Sequence, residues 1–123
     1  GKTMLIRNFL NAELQEECIH EGRGLCLHKK IISKEDVQTS LRFLNYTIIP
    51  EGASFGLHTH GMDNEFYILL SGRGVYTQDG QSQPVGPGDI MVNAPHSTHG
   101  IENTGKEAMR LLVFEVRGQE QPR

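Results

Sequence analysis

Gly56-Leu57-His58-Thr59-His60-Gly61-Met62-Asp63-Asn64-Glu65 carries two histidines one residue apart and a glutamate five residues after the second. Side chains two apart on a strand share a face. His58 and His60 therefore point the same way, about 6 to 7 Å apart along the backbone. Two imidazoles at that separation can converge on one ion through bonds of roughly 2.1 Å. Glu65 has the wrong parity for the same straight strand. Gly61-Met62-Asp63-Asn64 supplies turn chemistry, and Glu65-Phe66-Tyr67-Ile68-Leu69-Leu70 is aliphatic and aromatic enough for a second strand. A strand–turn–strand unit returns Glu65 toward the histidine pair. Taken alone, the same residues also fit a surface His-x-His and a solvated carboxylate.

Outward from this unit the chain keeps the same character. Residues 41–49 are rich in β-branched and aromatic side chains and end at Pro50-Glu51-Gly52, a turn signal. Strands are predicted at 54–60, 65–71 and 75–77. Asp79-Gly80 marks a hairpin, with 81–85 pairing back. Gly86-Pro87-Gly88-Asp89 turns again. Short strands follow at 90–92 and 98–102, and a last one at 108–116. Short strands between Gly, Pro, Asn and Asp turns predict an all-β sandwich or a barrel-like jelly roll. No repeat of solenoid period is visible.

Upstream, the pattern is weak. Residues 11–17 read as a helical turn or an acidic loop, and His20-Glu21-Gly22-Arg23-Gly24 as a loop. Residues 25–28 and Ile31-Ile32 read as edge strand. Ser33 and Asp36 have the spacing of a helix cap. His20 and His28 are read as exposed or core histidines rather than ligands. The tail, 118–123, is expected to be flexible.

A chain of 123 residues predicts one domain. Net charge is −3 with no Lys/Arg block, which argues against nucleic acid and anionic membrane as partners. No apolar run approaches the length of a membrane span. The opening Gly1-Lys2-Thr3-Met4 has no signal-peptide hydrophobic region, and Gly1 reads as an expression remnant. Cys18 and Cys26 fit neither a zinc knuckle nor a disulfide framework. The expectation is a cytoplasmic protein with two reduced thiols.

An all-β scaffold brings distant strands together, and His99 is the best downstream candidate for a further ligand. It follows a loop and opens a predicted strand. Three imidazoles and one carboxylate make a mixed N/O site for a first-row divalent metal, with Mn, Fe, Ni, Co and Zn not distinguished. Two positions of an octahedron stay open.

These residues resemble the cupins. Their first motif is Gly, five residues, His-x-His, three or four residues, Glu, six residues, Gly. Gly52, His58, His60, Glu65 and Gly72 stand in that register. Their second motif is Gly, five residues, Pro-x-Gly, two residues, His, three residues, Asn. Gly88, His99 and Asn103 match it, but Ala94 replaces the proline and His96 the glycine. Pro95 keeps a rigid residue in the loop, and histidine is among the residues better tolerated at positive φ. The resemblance spans about residues 40 to 117. It implies a conical β-barrel core over 40–117 holding a metal on His58, His60, Glu65 and His99. It also implies a homodimer, with the arm 1–39 adding edge strands or dimer contacts.

Fold and metal do not settle the chemistry. No phosphate cradle and no nucleophilic Ser or Cys beside a base is visible, so the metal is the expected reactive centre. Alternation from Glu65 predicts Tyr67, Leu69 and Val75 in the cavity, with Met91 adding to an apolar wall. Tyr67 is a candidate for orienting substrate, and His96 for a general base or a hydrogen-bond partner of a ligand. Asp63 is an alternative carboxylate ligand that the family register disfavours. Oxalate decarboxylase, a cupin, places a pocket arginine three residues after the glycine closing its first motif. Here that position is Val75, with Arg73 and Arg42 as possible substitutes. This weakens oxalate decarboxylation and favours a partly apolar substrate. The expectation is a metal-dependent enzyme on a small oxygenated molecule, with dioxygenase, isomerase or decarboxylase chemistry open. The alternative is a cupin that binds a sugar or carboxylate without turnover.

Overall fold

A computed structural model describes residues 4–119. Ten strands follow in order: β1 (Gln15–Glu17), β2 (Cys26–Ser33), β3 (Leu41–Ile49), β4 (Ser54–Thr59), β5 (Asn64–Ser71), β6 (Gly74–Gln78), β7 (Gln81–Val85), β8 (Ile90–Asn93), β9 (Thr98–Asn103) and β10 (Met109–Val116). Two single 3-10 turns, Phe9–Asn11 and Lys34–Asp36, are the helical elements among the described residues. None is long or apolar enough to cross a membrane. The tail expected to be flexible lies, from residue 120 on, outside the described residues.

The strands form two antiparallel sheets. The larger has the order β1-β2-β3-β10-β5-β8, and the smaller β4-β9-β6-β7. No ladder joins the two among the described residues, so the jelly roll is a sandwich-like barrel rather than one closed by backbone pairing. The alternation expected of β5 is present. Glu65, Tyr67 and Leu69 are buried, while Phe66, Ile68 and Leu70 are not. Tyr67 and Leu69 meet Phe55 and Ile101 of the smaller sheet in one apolar core.

Each motif residue other than the histidines and Glu65 has a backbone task. Gly72 sits at φ +85°, and a Cβ there would lie 2.6 Å from the Ala108 carbonyl oxygen, so only glycine fits. The Asn103 amide donates to the Ile49 and Glu107 carbonyls at 2.9 and 2.8 Å and accepts from Gly105 N at 2.9 Å. This ties the end of β9 to β3 and to the turn before β10.

The arm departs from expectation at one point. Residues 15–17 form a short edge strand on β2 rather than a helical turn. The turn after Ser33 is capped as its spacing indicated, with Asp36 accepting from Ser33 N at 2.8 Å. Arg7 also binds Asp36, at 2.7 and 3.1 Å. Both cysteines are free, Cys18 exposed and Cys26 buried. Burial pushes the Cys26 thiol up to about 11.

Candidate metal centre

Strand pairing assembles the site. β4 and β9 place His58 directly opposite His99. β4 ends at Thr59, one residue earlier than predicted, so His60 opens the turn that leads to β5. Glu65, near the start of β5, approaches from the other sheet. One oxygen, Glu65 Oε1, then faces three imidazoles. It lies 3.3 Å from His99 Nε2, 3.9 Å from His58 Nε2 and 4.0 Å from His60 Nε2. The His99 ring stands edge-on to both others, with centroids 4.4 Å from His58 and 4.7 Å from His60. Donors on one small metal ion sit about 3.0 to 3.4 Å apart when the bonds are near 2.1 Å. Donor atoms of His58, Glu65 and His99 already lie within 4.8 Å of one another. His99 is fully buried and Glu65 nearly so.

The proton inventory decides what this arrangement can hold. Ser97 is buried, and its hydroxyl donates to the Ala94 carbonyl at 2.7 Å. Its oxygen therefore accepts from His99 Nδ1, 3.0 Å away. His58 Nδ1 donates to the Gly56 carbonyl at 2.9 Å. With both Nδ1 atoms protonated, the Nε2 atoms of the neutral rings carry lone pairs toward the Glu65 carboxylate. Lone pairs facing a carboxylate need a cation between them: a metal ion, or in the metal-free protein a proton on a ring nitrogen. Both ring nitrogens of His60 are buried and have no hydrogen-bond partner, a costly condition unless something else binds one of them. The residues present fit a divalent metal ion.

Titration shifts at the site follow from burial and from the Glu65 charge. Burial opposes the Glu65 carboxylate, but His58 and His99 outweigh it and bring it down to about 2. Desolvation holds His60 below its ordinary value. At His58 desolvation is outweighed by Glu65 and the Gly56 carbonyl, and the shift is upward. Glu115, paired across the sheet with Glu65, is raised to about 7 by burial and by the charges of Glu65 and Asp63, against Arg42. Between about 4.5 and 7 the folded state then holds more protons than the unfolded chain. The stability of the metal-free protein should fall as pH rises through that window. Glu115→Gln should flatten this slope in urea titrations at several pH values, and an unchanged slope would contradict it.

A cavity of about 240 Å³ lies against the site, lined by Phe43, Asn45, Thr47, Phe55, Tyr67 and Val113, with His20, Glu17 and His28 from the arm. Tyr67 is there as predicted, fully buried, and burial together with Glu65 raises its phenol well above the ordinary value. Leu69 and Met91 are interior but belong to the packed core, not to the cavity wall. Val75 is a correction. It lines clefts on the outer surface, whereas Tyr76 packs inward and hydrogen-bonds Asn93. The break at Gly72-Arg73 resets the strand parity, so alternation counted from Glu65 fails beyond it. Position 75 therefore lies outside the lining of this cavity.

His96 is a second correction. It is exposed, at φ +63°, and its side chain is not among the cavity-lining groups. Its backbone N–H donates to the Gly61 carbonyl at 2.8 Å and joins the two motif loops. Asp63 pairs with Arg42 at 3.2 Å and accepts from Gly118 N at 3.1 Å, so neither residue is free for the site. Arg73 is exposed beside Gly86, away from the cavity. Sequence reasoning missed three residues. Ser97 had a signal, since it stands two before His99. Asn45 alternates with Thr47 on β3, a polar pair within an apolar strand. His20 had no pattern to mark it, and its ring stacks on His58 with centroids 3.5 Å apart and planes 11° apart.

Residues 45–115 match the Cupin domain family. A protein of Thermotoga maritima named oxalate-binding protein is 31% identical over 116 residues, covering 92% of this chain and 93% of that protein. The crystal structure of a predicted oxalate decarboxylase from Thermotoga maritima superimposes with a TM-score of 0.88 at 28% identity, covering 93% of this chain and 99% of that one. The polyketide cyclase RemF of Streptomyces resistomycificus, at 18% identity and TM-score 0.77 over 98% of this chain and 89% of that one, shares the fold alone. The motif register, the two-sheet jelly roll and these matches agree: this chain belongs to the cupin family.

Proposed function

We propose that the protein holds one first-row divalent metal ion on His58, His60, Glu65 and His99 and uses it to bind a small chelating carboxylate of the oxalate class. The carrying observation is the convergence of three Nε2 atoms on one oxygen of Glu65 at 3.3 to 4.0 Å. A bound divalent ion supplies a Lewis-acidic centre that neutralises and chelates a dianion. The chain supplies the rest. Ser97 and the Gly56 carbonyl hold two imidazoles with Nε2 free. Phe43, Phe55 and Val113 line the cavity with apolar surface. Asn45, whose buried Oδ1 has no partner, and Thr47 offer hydrogen bonds there. No Lys or Arg is among the described cavity-lining residues, so an anion there depends on the ion for compensation.

Calorimetric titration of metal-loaded protein with oxalate, malonate and a monocarboxylate tests this. The expected result is binding of oxalate that disappears after chelator treatment and returns with metal. Metal-independent binding, or none by loaded protein, would overturn it. Turnover is the second reading. Tyr67, kept protonated by burial, gives the cavity a hydroxyl able to hydrogen-bond and orient a bound molecule. Product analysis of metal-loaded protein with oxalate, with and without O₂, separates the two.

We also propose a homodimer. On the outer face, β10, β5 and β8 carry two apolar rows, Leu112-Ile68-Ile90 and Phe114-Phe66-Val92. Ile90 and Val92 are exposed, and Phe66 stacks on Phe114 at 4.5 Å. A patch of this kind on a small domain is one that a second copy covers. Phe66→Glu should shift the mass measured by light scattering from dimer to monomer, with metal content retained. A monomeric wild type would end this proposal.

A further inference from the structure

Resting on the metal-site proposal above, we infer that His20, outside both motifs, is a positioning residue of the metal centre. The arm clamps its ring flat on His58 and so holds His58 Nε2 toward the ion. The stack itself points that way. Two like neutral rings prefer offset or edge-on contact to a near-parallel stack at 3.5 Å. An imidazole bound to a metal is electron-poor and attracts a π-face.

The backbone is built to deliver that ring. His20 and Glu21 both take positive φ, 52° and 56°, which non-glycine residues rarely adopt. The Ile19 carbonyl accepts from Gly22 N at 3.0 Å and from Gly56 N at 3.2 Å. Ser54 N donates to the Arg23 carbonyl at 3.0 Å, and Arg23 N donates to Ser54 Oγ at 2.9 Å. The arm and β4 lie backbone against backbone. A Cβ on Gly22 would run into the Ser54 carbonyl oxygen, and one on Gly56 into that of His20. Gly56 joins both halves of the device. Its N–H binds the arm, and its carbonyl accepts from His58 Nδ1. The His58 ring is thereby held at one edge by Gly56 and on one face by His20.

The test is Co²⁺ titration of metal-free wild type, His20→Ala, His20→Phe and Gly22→Ala, read by visible absorption. His20→Ala should weaken Co²⁺ affinity about tenfold and alter the absorption band. His20→Phe, which keeps a flat ring, should recover most of both. Gly22→Ala, with His20 intact but the clamp spoiled, should resemble His20→Ala. Urea unfolding of the metal-free His20 variants should match wild type, since His20 is exposed. If wild type binds Co²⁺ and His20→Ala binds it equally with the same band, His20 has no positioning role while the metal site stands. If His20→Phe is as weak as His20→Ala, stacking is not the cause and the inference falls. If wild type takes up no Co²⁺, both the metal site and this role fall.

Discussion

His99→Ala should leave the purified protein essentially metal-free, with affinity lowered by at least about 100-fold. Three features of this residue make the effect large. It is fully buried, it is the imidazole closest to Glu65 Oε1 at 3.3 Å, and its Nδ1 is bonded to Ser97 so that Nε2 is committed to the site. Water filling the vacated space offers a weaker donor than an oriented imidazole. Elemental analysis after dialysis checks the result, with circular dichroism to establish that the strands persist. Wild-type stoichiometry in the variant would remove His99 from the site and overturn the proposed metal centre.

Glu65→Gln should be comparably severe for metal and should also change the acid behaviour of the metal-free protein. The carboxylate is the single anionic donor in the set, and an amide is close in shape but neutral. Loss of that charge should lower metal affinity at least about 100-fold. The second effect follows from linkage. Glu65 is held near 2 in the fold because His58 and His99 outweigh the cost of burial. A carboxyl depressed in this way stabilises the fold fully above its unfolded value, about 4.5. That contribution is lost as pH falls from there toward 2. Glu65→Gln should remove the part of acid destabilisation that falls in this window. Fluorescence-monitored urea midpoints for the two metal-free proteins, compared at pH 3 and pH 6, check it. Equal losses on acidification in both would exclude Glu65 as the titrating group.

The all-β fold and the candidate donors were legible because they rest on short-range rules. Period-two alternation put Glu65, Tyr67 and Leu69 on one face of β5. Turn residues marked most strand ends to within a residue or two. The spacing of His58, His60, Glu65 and His99 matched a known pattern; the structure brings donor atoms of His58, Glu65 and His99 within 4.8 Å of one another and leaves His60 at the edge of that group, 4.0 Å from Glu65. Even the odd residue of the second motif was readable, since His96 takes the positive φ that its position requires.

What failed did so where distance along the chain stops being a guide. Parity does not survive a loop, and Val75 therefore turned outward while Tyr76 took the inward place. His96 was near His99 in sequence but faces solvent, whereas Ser97, one residue on, is the group that holds His99. His20 lies 38 positions before His58, in a segment without periodicity. It reaches the site through two left-handed residues and a backbone contact that no local signal encodes. Local sequence thus determined which residues are able to serve as donors and which strands carry them, because strand geometry repeats every two residues. Only the tertiary structure decided which side chains surround those donors, because that depends on how two sheets and an arm pack together.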